Sequence, residues 1–356
     1  MHPQLRGTSA ASFAESCALV DKVQFLGTHA AYGKGTIRIE NCETHMSWLF
    51  TVDGLVFKLK KPVRYPFLDF STVAAREQNC RAEVHLNARL APGVYLGVVP
   101  LRQHADGRFT LGDLPADHAP DCGLIVDWLV KMRRLPPEQM LDYRMARGTL
   151  EPGDVDSVAN LLARFYRAAD ASPVEPAIYA GRFAAEQAIN REVLMHPRFE
   201  SDRAQSEHAL DRLDHLLQSY RALLLARARD GRVVDGHGDL RPEHVCLLDP
   251  PVIIDCLEFN SELRRVDPFD ELVYLGLECD IAGAPWVGPR IVERLSAVTG
   301  DRPPATLLSL YAAYRALLRA RLCLAHLLEP ASRVADQWIP KAQRYVRAAV
   351  EAMAQL

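Results

Sequence analysis

His237-Gly238-Asp239-Leu240-Arg241-Pro242-Glu243-His244 is the stretch on which the reading of this 356-residue chain turns. It lies in the one interruption of an otherwise helical region, because Val233 to Asp255 lacks a helical period and holds two short apolar runs separated by Asp249-Pro250-Pro251. Long helical patterns flank it on both sides. Polar groups on a loop held by a rigid helical scaffold are commonly catalytic. Taken alone, three such residues read better as a polar turn before a strand. The second run, Val252-Ile253-Ile254-Asp255, follows by a hairpin-length gap and puts another carboxylate at a strand end.

Upstream of this region the pattern is different. From Thr36 the apolar period is two: Ile37 and Ile39, then Trp48, Phe50 and Val52, with Asp53-Gly54 separating these from Leu55, Phe57 and Leu59. Asp-Gly between alternating strands predicts a hairpin. Ser71 to Leu90 reads as a helix, capped by Asp69 or Ser71 and followed by Pro92-Gly93. Tyr95 to Arg102 and Arg108 to Leu111 form a second hairpin around Asp106-Gly107, and Gly123 to Trp128 reads as a last strand. Pro136-Pro137 then opens a chain that is helical almost to its end. A β-rich first third thus meets an α-rich remainder near residue 127, an α+β organisation in three parts: an N-terminal arm over 1–35 with a helical pattern around Phe13 to Phe25, a sheet-and-helix part over 36–127, and a helical part over 128–356 carrying the loop at 235–258.

Composition narrows the classes. At 49% hydrophobic residues the chain can form two cores, and a formal charge of −3 with interspersed signs gives no basic stripe for nucleic acid or an anionic membrane. Eight scattered cysteines, without a Cys-x-x-Cys pair, read as reduced thiols. No apolar run approaches the ~20 residues that span a bilayer, and the N-terminus lacks a signal-peptide pattern. A cytoplasmic protein is expected.

The run His237 to His244 resembles the catalytic loop of protein kinases, and more closely the His-Gly-Asp form of aminoglycoside phosphotransferases and related small-molecule kinases. The resemblance extends from about Arg38 to Leu328 and points to an uncharacterised bacterial branch of that superfamily, with a bilobal fold of a β-rich N-lobe and a mainly helical C-lobe. It implies that Asp239 orients the acceptor hydroxyl and accepts its proton as the γ-phosphoryl group of ATP moves, and that Arg241 stabilises charge on that group. A carboxylate is suited to this because it is already ionised near pH 7. Asp255 takes the place of the metal-binding aspartate, so magnesium and ATP are the implied cofactors. The motif after it is Cys256-Leu257-Glu258 rather than Phe-Gly, which fits small-molecule kinases better than protein kinases.

His244 stands where the family usually has a metal-ligating asparagine. Imidazole is a poorer ligand for so hard a cation. The readings open for His244 are a ligand in that place, a hydrogen bond to Asp239 or a phosphate, one metal site left to Asp255 with or without Glu243, or a structural histidine. In the N-terminal third, Val56-Phe57-Lys58-Leu59-Lys60 resembles the strand whose lysine grips the nucleotide phosphates, with Lys58 aligning best. Alternation puts Lys58 and Lys60 on one face. The partner glutamate is expected on the following helix, Glu83 in preference to Glu77. The loop Asn41 to Met46 contains no glycine, so Thr44 and Ser47 are the hydroxyl donors expected at the phosphates.

Other patterns carry less. Gly27 to Gly35 is one residue too long for a Walker A loop and has Gly35 after Lys34, which rejects a P-loop. His237, His244 and Cys246 have no recognised zinc spacing. Asp267 and Asp270 read as caps of the helix from Glu271 to Leu277, and Tyr311 to Leu328, with Arg315, Arg319 and Arg321, reads as a structural amphipathic helix. The expected function is ATP-dependent transfer to a hydroxyl of a small molecule. Its alternative is a pseudokinase-like nucleotide-binding module, motivated by His244 and the glycine-free loop. Some members of the branch resemble a fusion with a P-loop kinase domain, so this lobe pair is expected to act alone or with a separate P-loop kinase partner.

Overall fold

The computed structural model describes residues 18–33, 35–65, 67–112, 123–169, 172–328, 337–354 and 356. The chain divides into two compact units, Met1–Pro136 with Ile253–Ser261, and Pro137–Val252 with Glu262–Leu356.

In the first unit, strands β1 (Ile39–Glu43), β2 (Ser47–Val52), β3 (Leu55–Lys60), β6 (Tyr95–Gln103), β7 (Phe109–Leu111) and β8 (Leu124–Arg133) form one sheet in the order β1-β2-β3-β8-β6-β7. Neighbouring strands are antiparallel throughout. The short strands β4 (Arg64–Tyr65) and β5 (Leu68–Asp69) pair separately. Alternation sends Phe50, Val52, Phe57 and Leu59 into one core with Leu101, Val126 and Leu129. The β2–β3 turn is the Asp53-Gly54 pair, closed by Val52 opposite Leu55. Asp53 adopts φ 51°, and its carboxylate accepts the amides of Arg38 at 3.0 Å and Ile37 at 3.3 Å, which steers the chain into β1.

Three expectations need correction. The last strand runs on to Arg133 because Leu129, Val130 and Met132 continue to bury and to pair with β3 and β6, so residue 127 lies inside a strand and not at a boundary. The unit ends at Pro136, where consecutive prolines lack the amides a strand would need. The arm is also no separate part: its helix, Leu19–Leu26, places Leu26 in the sheet core and buries Lys22, whose ammonium meets Asp127 at 2.8 Å. Phe13 lies outside the described residues. Finally, Ile253–Ser261 joins the first unit, since the amide of Ile253 bonds Leu90 and that of Cys256 bonds Asn87.

The helix Val73–Asn87 starts at Thr72, whose hydroxyl accepts the Ala75 amide at 3.1 Å; Asp69 instead closes its own turn on Ser71. Arg76 on this helix grips both oxygens of Asp127, at 2.7 and 3.0 Å. One buried carboxylate therefore ties the leading helix, the sheet and this helix together.

The second unit is helical, with Pro152–Ala168, Pro176–Leu194, Arg203–Ser219, Pro268–Ile281, Val287–Thr299, Ala305–Leu328 and Trp338–Met353 as its longer elements. Asp267 caps Pro268–Ile281 through the Phe269 amide at 2.9 Å, whereas Asp270 pairs with Arg315 at 2.6 Å. Arg319 pairs with Glu278 and Arg321 with Glu186, so the three arginines of Ala305–Leu328 serve helix packing. A methyl group on Gly276 would lie 2.7 Å from the Gly288 Cα, so two helices touch backbone to backbone there. Strand β9 (Val234–Asp235) pairs with β12 (Arg265–Val266), and the short strands β10 (Val245–Cys246) and β11 (Val252–Ile253) interrupt the helices at the expected place.

Asp127→Asn removes the charge shared by Lys22 and Arg76 and leaves two buried cations undercompensated. Urea denaturation should show a loss of about 3–5 kcal/mol; a loss below ~1 kcal/mol, the size of an exposed pair, would show that the cluster does not fasten the unit.

Candidate functional site

In the first unit the charged residues on β3 are organised by Glu83. Lys58 and Lys60 lie on one face of the strand, and the buried helix carboxylate of Glu83 receives both: Lys58 Nζ at 2.9 Å on one oxygen and Lys60 Nζ at 2.6 Å on the other. Glu77 instead pairs with Arg81 on the helix surface. Burial raises the Glu83 carboxyl, but the two ammonium groups outweigh it and hold the group below its ordinary value. Burial likewise pulls Lys58 down, and Asp255, Glu83 and Glu258 together lift it well above its ordinary value. Lys58 stays charged.

Asp255 completes this arrangement. Its carboxylate accepts Lys58 Nζ at 2.8 Å, its amide donates to Tyr95 Oη at 3.1 Å, and its side chain remains 43% exposed. The residue adopts φ 62°, a left-handed conformation that aspartate tolerates better than bulky residues. Neighbouring Glu258 bonds Lys60, which also lies over the Phe70 ring at 4.9 Å. Glu258 was not among the expected site residues; the signal that could have found it is an acid three residues beyond Asp255 together with a second strand lysine, Lys60.

Thr44 and Ser47 sit at the β1–β2 turn. The Thr44 hydroxyl donates to the Ser47 carbonyl at 2.9 Å and accepts the Ser47 amide at 3.0 Å, closing the turn, while Ser47 is buried. The turn is fixed without glycine by this reciprocal pair.

In the second unit the loop after β9 is shaped by a helix carboxylate. Glu271, buried on Pro268–Ile281, accepts the amides of His237, at 3.1 Å, and of Gly238, together with the Tyr166 hydroxyl at 2.8 Å. Burial raises its carboxyl, and these donors partly offset that. Gly236 leaves the necessary room, since a methyl group there would lie 2.5 Å from Val266 Cγ2 and 2.6 Å from Glu271 Oε2. Gly238 takes φ 88° and presents Asp239.

Asp239 is 28% exposed along its side chain. One oxygen accepts Arg241, with Nη2 at 2.9 Å and Nε at 3.0 Å; the other accepts the Tyr274 hydroxyl at 3.3 Å. Burial pushes the Tyr274 phenol well above its ordinary value, with Asp239 adding to the shift, so it remains a neutral donor. Its ring faces the guanidinium of Arg315 at 5.0 Å. Tyr274 escaped the sequence reading because an aromatic residue seven positions past a helix cap looks like core.

His244 is engaged at both ring nitrogens. Nε2 lies 3.2 Å from Arg241 Nη2, which can only donate, so Nε2 accepts and Nδ1–H donates to the Asp239 carbonyl at 2.8 Å. His244 thus belongs to the loop's own bonding. Cys246 is buried, with its thiol pushed up to about 11, and among the described residues no group of three or more His, Cys, Asp or Glu side chains is arranged to hold a metal. The structure therefore gathers Lys58, Glu83 and Asp255 in the first unit and Asp239, Arg241 and His244 in the second.

No protein-family model matches the chain. Uncharacterised proteins of Mycobacterium tuberculosis and Mycobacterium bovis are 32% identical over 285 residues, covering 79% of this chain and 53% of each relative. The chain spans about half the length of these curated relatives. Among solved structures, a choline kinase of Streptococcus pneumoniae aligns with TM-score 0.50 at 12% identity, covering 95% of this chain and 100% of that one. AMP-bound spectinomycin phosphotransferase aligns with TM-score 0.51 at 12% identity, covering 94% and 98%. A thermostable mutant of an aminoglycoside phosphotransferase aligns with TM-score 0.50 at 12% identity, covering 90% and 95%. The chain has the bilobal, α+β protein-kinase-like fold of these proteins.

The depressed Glu83 carboxyl has a consequence for pH. Its contribution to stability is fully present above its ordinary value of 4.5 and is lost as pH falls through the lowered folded value. Glu83→Gln should therefore cost about 3–5 kcal/mol near neutral pH, with the difference from wild type shrinking as both are acidified. A difference independent of pH in equilibrium denaturation would show that the charge of Glu83 is not what stabilises the unit.

Proposed function

We propose that this chain, built on a protein-kinase-like fold, is a phosphotransferase that moves the γ-phosphate of ATP to a hydroxyl of a small molecule. The observation that carries the reading is the placement of Lys58, its charged amine held between a buried helix carboxylate at 2.9 Å and a half-exposed strand-end carboxylate at 2.8 Å. A lysine so fixed offers a point charge to phosphate oxygens without reorganisation.

Asp255 has the chemistry for magnesium. Its carboxylate is a hard oxygen donor with exposed surface, and magnesium is commonly bound by one or two carboxylates together with substrate phosphates and water. When bound, the ion neutralises charge between the phosphates. His244 does not fit that position, since its nitrogens are softer donors and both are committed within the loop. Asp239 is the group we assign to the acceptor hydroxyl, orienting it and taking its proton. Arg241 holds the Asp239 carboxylate and supplies charge for the transferring phosphoryl group. Thr44 and Ser47 contribute by fixing the turn that they close, since the Thr44 hydroxyl and the amides of both residues are spent inside it.

The commitment of His244 also favours a second reading, a module that binds nucleotide and transfers nothing. Mass-spectrometric screening of metabolite extracts with magnesium ATP separates the two. Wild type should yield a product heavier by one phosphoryl group, and Asp239→Asn should lower kcat by about 10²- to 10⁴-fold with little change in nucleotide affinity. Binding of ATP without product in any extract would favour the second reading, and equal turnover by Asp239→Asn would remove Asp239 from the mechanism. Lys58→Met should weaken ATP binding at least tenfold in calorimetry; unchanged affinity would remove Lys58 from the nucleotide site.

A further inference from the structure

The first unit contains a cavity of about 480 Å³ beside the β4–β5 hairpin, within the roughly 300–1,000 Å³ range of small-molecule sites. One side of it is aromatic, and Gln78 and Asn79 add amide groups to the lining. The rings of Tyr65 and Phe67 lie nearly parallel with centroids 5.7 Å apart, and Phe259 approaches Phe67 at 6.0 Å. Phe67 is 49% exposed although it is a large apolar side chain. Leu68 and Glu258 line the same space.

Glu258 gives the cavity its chemical character. The side chain is only 7% exposed, and one oxygen accepts Lys60; among the described residues its other oxygen accepts no hydrogen bond. Burial raises the carboxyl above its ordinary value, with Lys60 opposing that shift and Glu83 adding to it. A buried carboxylate with an unused oxygen favours a charged donor. At the rim Asp69 is already occupied by Ser71 and by Arg64, whose Nε lies 3.3 Å from it, so the rim charges answer each other. Aromatic faces attract cations through their quadrupole. An anion would meet Glu258 at the floor, and a neutral apolar ligand would bury that oxygen without a partner.

We propose that this cavity binds a small organic cation, an ammonium or amidinium head on an apolar body, with the head on Glu258 and the body against Phe67 and Phe259. The site requires neither Lys58 nor Asp239, so it stands apart from phosphoryl transfer. Once seated, the ligand shares Glu258 with Lys60 and so touches the chain of bonds that runs through Glu83 to Lys58.

Isothermal titration calorimetry of the full chain with phenethylammonium tests this, with 3-phenylpropionate as an anion of similar shape. Saturable binding of the cation and none of the anion is expected. Phe67→Ala, at an exposed position, should weaken the cation roughly tenfold, in keeping with loss of a partly desolvated aromatic contact; Glu258→Gln should weaken it at least as much. Should Glu258→Gln fail to fold, Phe67→Ala carries the comparison. Equal binding of cation and anion, cation binding indifferent to Phe67→Ala, or no saturable cation binding each overturns the proposal. None of these outcomes depends on whether the chain transfers phosphate.

Discussion

A glutamate with no exposure to water accepts two lysines, and the first unit is arranged around that fact. Ions placed in a protein interior lose hydration worth several kcal/mol each, so such a group persists only where partners are supplied with good geometry. Glu83 obtains them from alternate positions of one strand, because a period of two puts Lys58 and Lys60 on the same face. Each lysine then needs a second acceptor, which Asp255 and Glu258 provide from a segment distant in sequence. This requirement explains why Ile253–Ser261 is bound to the sheet unit through the amides of Ile253, Asp255 and Cys256.

The same demand reaches the helix that bears Glu83. Its position is set at the opposite end by Arg76, which closes on Asp127 together with Lys22. The helix is therefore held by ion pairs at both ends of one face of its length, with apolar packing between. A displacement at either end would strand several charges at once.

Much of this was legible in the chain. Alternation and the Asp53-Gly54 and Asp106-Gly107 pairs revealed the hairpins, because turn chemistry and side-chain facing are local. The preference for Glu83 over Glu77 agreed with the geometry because the former shares a stripe with Leu86 and Leu90. Long-range pairing was not legible: the extension of β8 to Arg133 was masked by Lys131 and Arg133, whose charge hides a strand that pairs on both sides. The cap at Thr72 was missed because Asp69 and Ser71 satisfy each other first. In the loop, the sequence presented Asp239 and Arg241, while Glu271 and Tyr274, which hold it, sit on a helix where they resemble ordinary first-turn and core residues.

In the second unit, shape and chemistry are encoded by different residues. Gly236 and Glu271 set the path of the loop through steric room and main-chain bonds, and neither need touch a reactant. The Asp239 carboxylate instead meets the side chains of Arg241 and Tyr274. Such a division lets descendants of one ancestor diverge unequally: an exchange at position 239 alters what the loop can do while leaving the path set by Gly236 and Glu271, whereas positions 236 and 271 have almost no freedom to drift. Under the proposed role of Asp239, transfer and its loss therefore lie one substitution apart on this scaffold.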